Sequence, residues 1–481
     1  MTRSMSSQTR AGAELEQQTA IENKPLAGWP ALPTELRLPI LDELEKQLSS
    51  ASNHYVRTWA SVSKEWRSYF EPLLWRTLNF RSSTLESGLA GLREIIADHR
   101  RSLVRKISLH IDLESYTCEE CDQRESRETM MANNARFSDA MIKLFSVLAS
   151  WPSHNPGDGI ALELSASSPS DARHLSSSPK HERCERSRSP GYSLTGVEQR
   201  LLGNLLTLTW PFANMALAPI PIIHSFVVKQ KLCRSIRHTS MEHILHSLPS
   251  LRDINYEPWL GIDDQDMFNV ELVSRPVFKT SSRPDIRRIS MWLAQNRSIL
   301  ESDAFASMRE NSIISAEAAR SSYNLQELAV SHAVDAEKFL QYFGGGLPRD
   351  SQSPKIEHLA LTYPFRHLAH DPVKAIHLIK TSAQAARWMP RIRVLEVWAG
   401  GTGEGFFLRY QVKEDEVKLT VGATWEIPLS YAILSKWEKV VSRHHPGLTL
   451  QSVSQRIDPA GLTKPESICE QLELYHLIRQ W

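Results

Sequence analysis

The densest chemical signal in the sequence is a glycine-rich run at residues 400–405, which follows residues 394–399, all apolar except Glu396. A strand followed by such glycines can hold a nucleotide phosphate when the loop opens a helix, because the helix N-terminus offers unpaired N–H groups. Here the next residues, FFLRYQV, are β-prone and lead through KEDE into VKLTV. The pattern therefore predicts a turn between two strands, with no cofactor bound there.

A second candidate is the pair Cys118 and Cys121, which has the spacing of half a zinc site. A structural zinc ion needs four ligands, and no second pair of ligands follows at a recognisable interval. His444 and His445 adjoin Pro446 without the spacing of a metalloprotease. The sequence thus predicts no bound metal ion, no cofactor and no catalytic residue.

The composition is that of a globular protein. The chain has 481 residues, 41% of them apolar, which is enough to bury a substantial core. A formal net charge of +1 does not favour nucleic acid or an anionic membrane as a partner, and no apolar stretch is long enough for a transmembrane helix. Five cysteines suit a reducing compartment, so we expect a cytoplasmic or nuclear location.

Two polar segments are expected to lie outside the folded parts. Residues 1–28 lack the apolar core of a secretory signal and are predicted to form a disordered tail. Residues 165–195 are rich in serine and charge and are predicted to be a disordered insertion. The insertion contains Ser-Pro pairs at Ser168, Ser178 and Ser189, which are either phosphorylation sites or part of an unregulated linker.

The C-terminal region carries an internal repeat of the form apolar-x-x-apolar-x-apolar. It recurs at intervals of 28 to 39 residues, with starts at Ile223, Leu251, Ile286, Leu325, Ile356 and Ile392. A proline stands two residues before five of the six starts, where it ends a helix or loop and favours extended backbone. Each repeat therefore predicts a strand and then a helix, and residues 104–113 and 159–164 predict two earlier strands. Asp371 and Pro372 mark the start of one such helix.

These repeats predict an α/β fold, namely a curved solenoid of the leucine-rich-repeat type with parallel strands on one side and helices on the other. Alternate side chains of adjacent strands share a face, so residues six positions after each start are expected to lie together on the concave surface. These candidate target-binding residues are Lys229, Glu257, Trp292, Ser331, Thr362 and Trp398. The alternative for the two tryptophans is that they pack under loops.

Residues 32–78 predict two or three short amphipathic helices. Apolar side chains recur there at helical spacing, at Leu36, Ile40 and Leu44 and again at Tyr55, Trp59, Val62 and Trp66. Fewer than 50 residues form a thin core, so this much leucine and tryptophan is expected to leave apolar surface for a partner. The alternative is that these helices cap the solenoid.

This N-terminal segment resembles an F-box. Its first half matches at Leu32, Pro33, Glu35, Leu36, Ile40, Leu41 and Leu44, and its second half at residues 62–67, Leu74, Trp75 and Leu78. One departure is Pro39, which removes a backbone donor from the expected first helix. We assign residues 29–82 to an F-box and residues 83–481 to the repeat domain. Residues 200–211 and 247–259 make the latter similar to fungal F-box proteins with degenerate leucine-rich repeats.

The F-box resemblance implies docking on the Skp-type adaptor of a cullin-RING ubiquitin ligase, through Leu32, Pro33, Leu36, Ile40, Leu41, Val62, Trp66 and Trp75. The chain would then be a non-catalytic substrate-recognition subunit, whose solenoid holds an unidentified protein target. Two alternatives stay open. One is a protein-interaction scaffold that uses the adaptor without ubiquitylation, and the other is an S-adenosylmethionine-dependent methyltransferase built around residues 400–405.

Overall fold

A computed structural model divides the chain into two units, of which the first ends at Arg76 and the second begins at Thr77. The structure describes residues 28–29, 32–48, 53–95, 98–121, 123–151, 159–171, 200, 205–209, 216–229, 234–258, 270–281, 283–293, 312–344, 353–364, 368 and 371–478. Residues 1–27 of the predicted tail and residues 172–195 of the predicted insertion lie outside the described residues.

The described residues of the first unit form three α-helices, α1 (Thr34–Leu48), α2 (Asn53–Ala60) and α3 (Lys64–Trp75), in agreement with the predicted helical segment. Ser63 caps α3, because its side-chain oxygen accepts a hydrogen bond from the backbone N–H of Trp66 at 3.2 Å. Despite the donor lost at Pro39, α1 continues as one helix. Residues 77–81, which the sequence assigned to the N-terminal module, instead form the first strand of the second unit.

A small apolar core joins the three helices. Its buried members are Leu41 of α1, Val56 and Ala60 of α2, and Phe70 of α3. The ring of Trp59 packs on Phe70 with 5.3 Å between the ring centroids. A core of this size cannot bury every apolar side chain of the three helices.

The second unit contains a twelve-stranded sheet whose strands lie side by side in chain order. The strands are β1 (Thr77–Arg81), β2 (Lys106–Asp112), β3 (Ile160–Ser167), β4 (Ile223–Val228), β5 (Asp253–Tyr256), β6 (Arg288–Trp292), β7 (Glu327–Ser331), β8 (His358–Thr362), β9 (Val394–Gly401), β10 (Glu404–Val412), β11 (Val417–Ala423) and β12 (Leu450–Arg456). The α-helices that the structure describes in this unit are α4 (Leu85–Ile95), α5 (Asp98–Arg101), α6 (Arg127–Leu148), α7 (His238–His246), α8 (Val270–Thr280), α9 (Ser312–Ser321), α10 (Ala336–Gly344), α11 (Pro372–Ala386), α12 (Tyr431–His444) and α13 (Tyr475–Ile478). Consecutive helices from α7 to α12 contact one another and so form a layer.

Neighbouring strands pair in parallel, except that β10 is antiparallel to both β9 and β11. The six predicted repeats coincide with β4 to β9, and the two earlier predicted strands with β2 and β3. Asp371 caps α11 by accepting hydrogen bonds from the N–H groups of Val373 at 3.0 Å and Lys374 at 3.1 Å. The predicted α/β class and strand positions are therefore confirmed.

The two faces of the sheet carry different side chains. We call one the back face, and one row of its residues in register from β6 to β9 is the fully buried Ile289, Leu328, Leu359 and Leu395. We call the other the front face, and one row of its residues in register from β5 to β9 is Asn255, Ser290, Ala329, Ala360 and Glu396. The repeat consensus thus describes the back face, while this row of the front face holds small and polar residues.

The predicted insertion begins too early at Ser165. Residues 165–167 belong to β3, and Ser168 is buried. Asp171 is buried as well, where its two carboxylate oxygens accept hydrogen bonds from the guanidinium of Arg234 at 3.2 and 3.3 Å. Because Ser168 is buried, its hydroxyl is not accessible for phosphorylation in this structure. A phosphate at this position would also bury close to two negative charges.

Arg234 is the centre of a buried charge cluster. Its guanidinium also contacts Glu125 at 3.1 Å, and the two carboxylates oppose its charge. The Tyr116 hydroxyl donates to Asp171 at 3.0 Å, and burial together with that carboxylate raises the pKa of Tyr116. Arg200 lies over the ring of Tyr116, 4.0 Å from its centroid. The cluster therefore ties the chain that leaves β3 to the segments that follow β2 and precede α7.

We predict that Arg234→Met lowers the free energy of unfolding of the sheet unit by about 3–5 kcal/mol, because it leaves two buried carboxylates without a counter-charge. Urea denaturation followed by circular dichroism measures the effect. Lys279→Met is the matched control, since it removes one exposed ion pair and should change the free energy by about 1 kcal/mol or less. Equal denaturation midpoints for the two variants would show that the cluster does not stabilise the sheet.

Candidate interaction surfaces

The helical unit presents exposed apolar side chains. Leu36 is 55% and Ile40 is 41% exposed, and their i, i+4 spacing places them on one side of α1. We call this pair the α1 ridge. Val62, which precedes the cap of α3, is 59% exposed. Burial of such apolar side chains against another surface lowers the free energy, because it removes them from water.

Polar contacts between α1 and α3 hold the α1 ridge in place. Arg37, which neighbours Leu36, donates to the Glu65 carboxylate at 2.6 Å. The indole N–H of Trp29 donates to the same carboxylate at 2.9 Å, and the Trp29 ring meets Trp66 edge to face at 5.1 Å. The ridge therefore projects from a small scaffold whose helices are fastened to one another.

The structure separates the predicted adaptor-binding residues into three groups. Pro33, Leu36, Ile40 and Val62 are exposed, whereas Leu32, Trp66 and Trp75 are partly buried. Leu41 is only 1% exposed and belongs to the core of the helical unit. It was assigned to the docking surface from its match to the motif, but in this structure it packs inward, because it lies on the side of α1 that faces α2 and α3.

On the sheet unit, residues 462–478 cover the front face from β6 to β10. We call these residues the C-terminal segment. They bury a cluster in which Trp292 of β6, Trp398 of β9 and Phe407 of β10 pack against apolar residues of the segment, namely Leu462, Ile468, Cys469, Leu472, Leu474, Leu477 and Ile478. The rings of Trp292 and Trp398 stack with 6.0 Å between their centroids.

Hydrogen bonds fasten the C-terminal segment to the front face. The buried Glu396 carboxylate accepts the backbone N–H groups of Glu473 and Leu474, each at 2.9 Å, and the guanidinium of Arg409 at 2.6 Å. The Ser290 hydroxyl donates to the carbonyl oxygen of Leu477 at 2.6 Å. Charge-assisted bonds of this kind are stronger than neutral ones, so Glu396 is the main polar anchor of the segment.

The glycine-rich run of residues 400–405 contains the turn between β9 and β10, as predicted, with residues 402 and 403 between the two strands. Its glycines admit the C-terminal segment, because a Cβ at Gly400 would lie 1.9 Å from the carbonyl oxygen of Pro465. A Cβ at Gly405 would lie 2.8 Å from Leu462 and 2.9 Å from Ile468. Gly403 adopts a φ of 73°, the left-handed region that favours glycine in a turn. The run opens no helix and therefore lacks the geometry of a phosphate-binding loop.

The C-terminal segment changes the interpretation of the predicted target-binding surface. Trp292, Thr362 and Trp398 are at most 3% exposed and are not accessible to a target, and Ser331 is buried as well. The two tryptophans pack under the segment, which matches the alternative considered for them. Only Lys229 and Glu257 of the predicted set remain partly exposed. The sequence signal for this cover was the apolar spacing in ICEQLELYHLI, which follows the last repeat without belonging to one.

A row of charges crosses the front face at the start of β5 to β8. Asp253, Arg288, Glu327 and His358 are in register on adjacent strands, so acidic and basic side chains alternate along the row. Hydrogen bonds from His358 and Arg288 outweigh the opposing effect of burial and lower the pKa of Glu327. Burial raises the pKa of Asp253.

A second polar group lies on β2 and β3. Lys106 pairs with Glu163 at 2.7 Å, and the His110 ring contacts the Ser165 hydroxyl at 2.9 Å. Burial and the nearby Arg81 lower the pKa of His110, which keeps its imidazole neutral at pH 7. These side chains are partly exposed, so this part of the front face offers polar contacts to a partner.

Neither a metal centre nor a membrane span is evident in the part of the chain that the structure describes. That part holds no group of three or more His, Cys, Asp and Glu side chains suited to a metal ion. Cys118 is exposed, and Cys121 is buried with its thiol directed at the carbonyl oxygen of Cys118 at 3.1 Å. None of the described helices has the length and apolarity needed to cross a bilayer.

A family model matches the C-terminal part of the chain. The family is described as one of unknown function, DUF6546, and the match spans residues 281–479. This range contains β6 to β12 together with the C-terminal segment that covers them. A search of curated proteins found no match to the chain.

We predict that Gly400→Ala loosens the C-terminal segment, because the new methyl group would overlap the Pro465 carbonyl oxygen. Overpacking of this kind costs about 1–3 kcal/mol, which corresponds to roughly 5-fold to 150-fold more frequent opening. The buried Cys469 thiol reports the opening, so its rate of modification by a thiol reagent should rise by that factor. Mass spectrometry of the peptide that contains Cys469 measures the rate.

Gly461→Ala is the matched control, because a Cβ there would meet no atom within 4 Å. Its Cys469 thiol should react at the rate of the unmodified protein. Indistinguishable rates in the two alanine variants would contradict the role that we assign to Gly400.

Proposed function

We propose that this protein is the substrate-recognition subunit of an Skp-cullin-F-box ubiquitin ligase. The observation that carries the proposal is the exposed α1 ridge, which occupies the positions at which the sequence resembles an F-box. Leu36 and Ile40 are too exposed to serve the core of the helical unit. An apolar pair on a fastened helix suits a mode of recognition in which a few buried anchors in a partner's groove supply most of the affinity.

In this proposal some apolar residues of the helical unit form its core and others contact the adaptor. Leu41 and Phe70 stabilise the fold of the unit, while Leu36, Ile40 and Val62 enter the adaptor surface. Arg37 and Glu65 fix the ridge beforehand, which lowers the conformational entropy lost on docking. The chain would have no catalytic residue of its own, because the ligase supplies the ubiquitin-charged enzyme.

We further propose that the sheet unit is a degenerate leucine-rich-repeat solenoid that holds the target. The support is the chain order of its strands and the layer of helices that contact one another in sequence. The C-terminal segment covers the front face at β6 to β10, so the target would bind on the front face of β2 to β5. Lys229 and Glu257 of the predicted set, together with Lys106 and His110, are among the partly exposed residues there.

Binding there would raise the local concentration of the target beside the ubiquitin-charged enzyme, which is sufficient to accelerate transfer without a chemical contribution from this chain. A scaffold that binds the adaptor without ubiquitylation would use the same helical unit. The two functions differ in whether a bound target is modified, so reconstituted ubiquitin transfer distinguishes them.

We expect that the double variant Leu36→Asp with Ile40→Asp weakens binding to a purified Skp-type adaptor by at least about 100-fold, because the docked carboxylates would be buried without partners. Isothermal titration calorimetry with the full chain measures the affinity. Circular dichroism checks that both side chains, being exposed, can be replaced without unfolding the helices.

Leu38→Asp is the matched control. Leu38 is 46% exposed on the same helix but lies two residues from each ridge position, and thus on another side of α1. This variant should bind the adaptor as the unmodified chain does. Equal loss of affinity in both variants, or no loss in either, would exclude the α1 ridge as the docking surface.

A further inference from the structure

The sheet ends at an exposed strand. β12 pairs in parallel with β11, and it is the last strand of the described sheet. Residues 451–456 are all exposed, unlike the residues of the neighbouring β11, of which six of the seven are buried. An edge strand of this kind carries a row of N–H and C=O groups that can pair with another strand.

The backbone groups directed away from β11 can be identified. The N–H of Ile457 donates to the carbonyl oxygen of Ala423 at 3.0 Å, so Ile457 is directed toward β11. In a parallel ladder alternate residues turn both backbone groups to the same neighbour. Gln451, Val453 and Gln455 therefore also pair with β11, while residues 452, 454 and 456 turn their N–H and C=O groups outward.

The five central residues of β12 read the same in both directions around Val453. Residues 451–455 are Gln-Ser-Val-Ser-Gln. Two antiparallel copies centred on Val453 would place valine against valine, each Ser452 against Ser454, and each Gln451 against Gln455. The outward groups of residues 452 and 454 would then form the hydrogen-bonded pairs, and Val453 would occupy the closer, non-hydrogen-bonded position at the two-fold axis.

We propose that β12 is a dimerisation edge, which pairs antiparallel with β12 of a second copy of this chain and joins the two sheets into one. The palindrome and the directions of the backbone groups are independent observations, and both favour the same antiparallel register centred on Val453. No charged residue, proline or bulge protects the edge between Leu450 and Gln455. Arg456 would face Leu450 of the partner, so the pairing brings no like charges into opposition. A two-fold axis through the pair closes the assembly as a dimer.

The test uses the full chain and measures its mass by light scattering after size-exclusion chromatography. We expect a dimer for the unmodified protein. Ser454→Pro should shift the protein to the monomer and raise the dissociation constant of the dimer at least about tenfold, because it removes an N–H that is directed away from β11. Ser454→Ala keeps that N–H and should remain dimeric. A far-UV circular dichroism spectrum that is the same in both variants as in the unmodified protein separates loss of pairing from unfolding.

Four further variants make the register itself testable. Val453→Lys alone should be monomeric, and so should Val453→Glu, because like charges would meet at the axis; a mixture of the two should recover the dimer. Val453→Cys should form a disulfide-linked dimer under mild oxidation, since Cα atoms at a non-hydrogen-bonded pair lie about 4.5 Å apart. Gln451→Cys should not link to itself, because Gln451 faces Gln455.

A monomeric unmodified protein at concentrations up to about 100 µM would overturn the proposal. A dimer that persists in Ser454→Pro and shows no charge complementation at Val453 would overturn it as well, because the copies would then meet through another surface. The double variant Leu36→Asp with Ile40→Asp should stay dimeric. Its dimerisation therefore distinguishes a failure of this inference from a failure of the adaptor proposal.

Discussion

The architecture of the sheet unit depends on the close approach of its C-terminal segment to the front face of β6 to β10. Parallel sheets usually have both faces covered, and here the C-terminal segment covers the part of the front face that carries Trp292, Trp398 and Phe407. The segment can reach the sheet because the residues beneath it are small. Ser290, Ala329 and Ala360 lie in one row, and Gly400 leaves space for the carbonyl oxygen of Pro465. Larger residues at these places would hold the segment away and expose the stacked tryptophans.

The same contact requires that a buried carboxylate be compensated. Glu396 is fully buried in the row of small residues, where an isolated negative charge would be very costly. Arg409, its partner across β9 and β10, supplies the counter-charge, and two backbone N–H groups complete its coordination. Those N–H groups belong to Glu473 and Leu474, just before α13, so the electrostatic requirement of one residue fixes where the final turn of helix sits on the sheet. Apolar packing alone would not specify that position, because it has little directional preference.

Many helices and strands of this fold follow from local patterns in the sequence. The packing of the C-terminal segment on the sheet does not, because it joins residues far apart in the chain. The prolines before the strands, the apolar triplets and the Asp371 cap depend on neighbours within a few residues, so they predicted β4 to β9 and α11. The hairpin at residues 400–405 was predicted in the same way. The burial of Trp292 and Trp398 depends instead on residues far along the chain, and the spacing of the repeats contains no information about that contact. Likewise, Leu41 matched a docking motif, but which side of α1 faces the core is decided by α2 and α3.

The two ends of the sheet differ in whether their front face is covered. The match to the DUF6546 family spans β6 to β12 with the C-terminal segment, so it coincides with the end whose front face is closed. The other end, β2 to β5, keeps polar side chains partly exposed and lies outside that match. Between β2 and β12 there are ten strand spacings, which amount to roughly 50 Å along the sheet at about 4.8 Å each. Pairing of two copies through β12 would therefore leave the proposed target surface free in both, and would present two such surfaces in one assembly, so that a target with two recognition segments would bind more tightly than either segment alone.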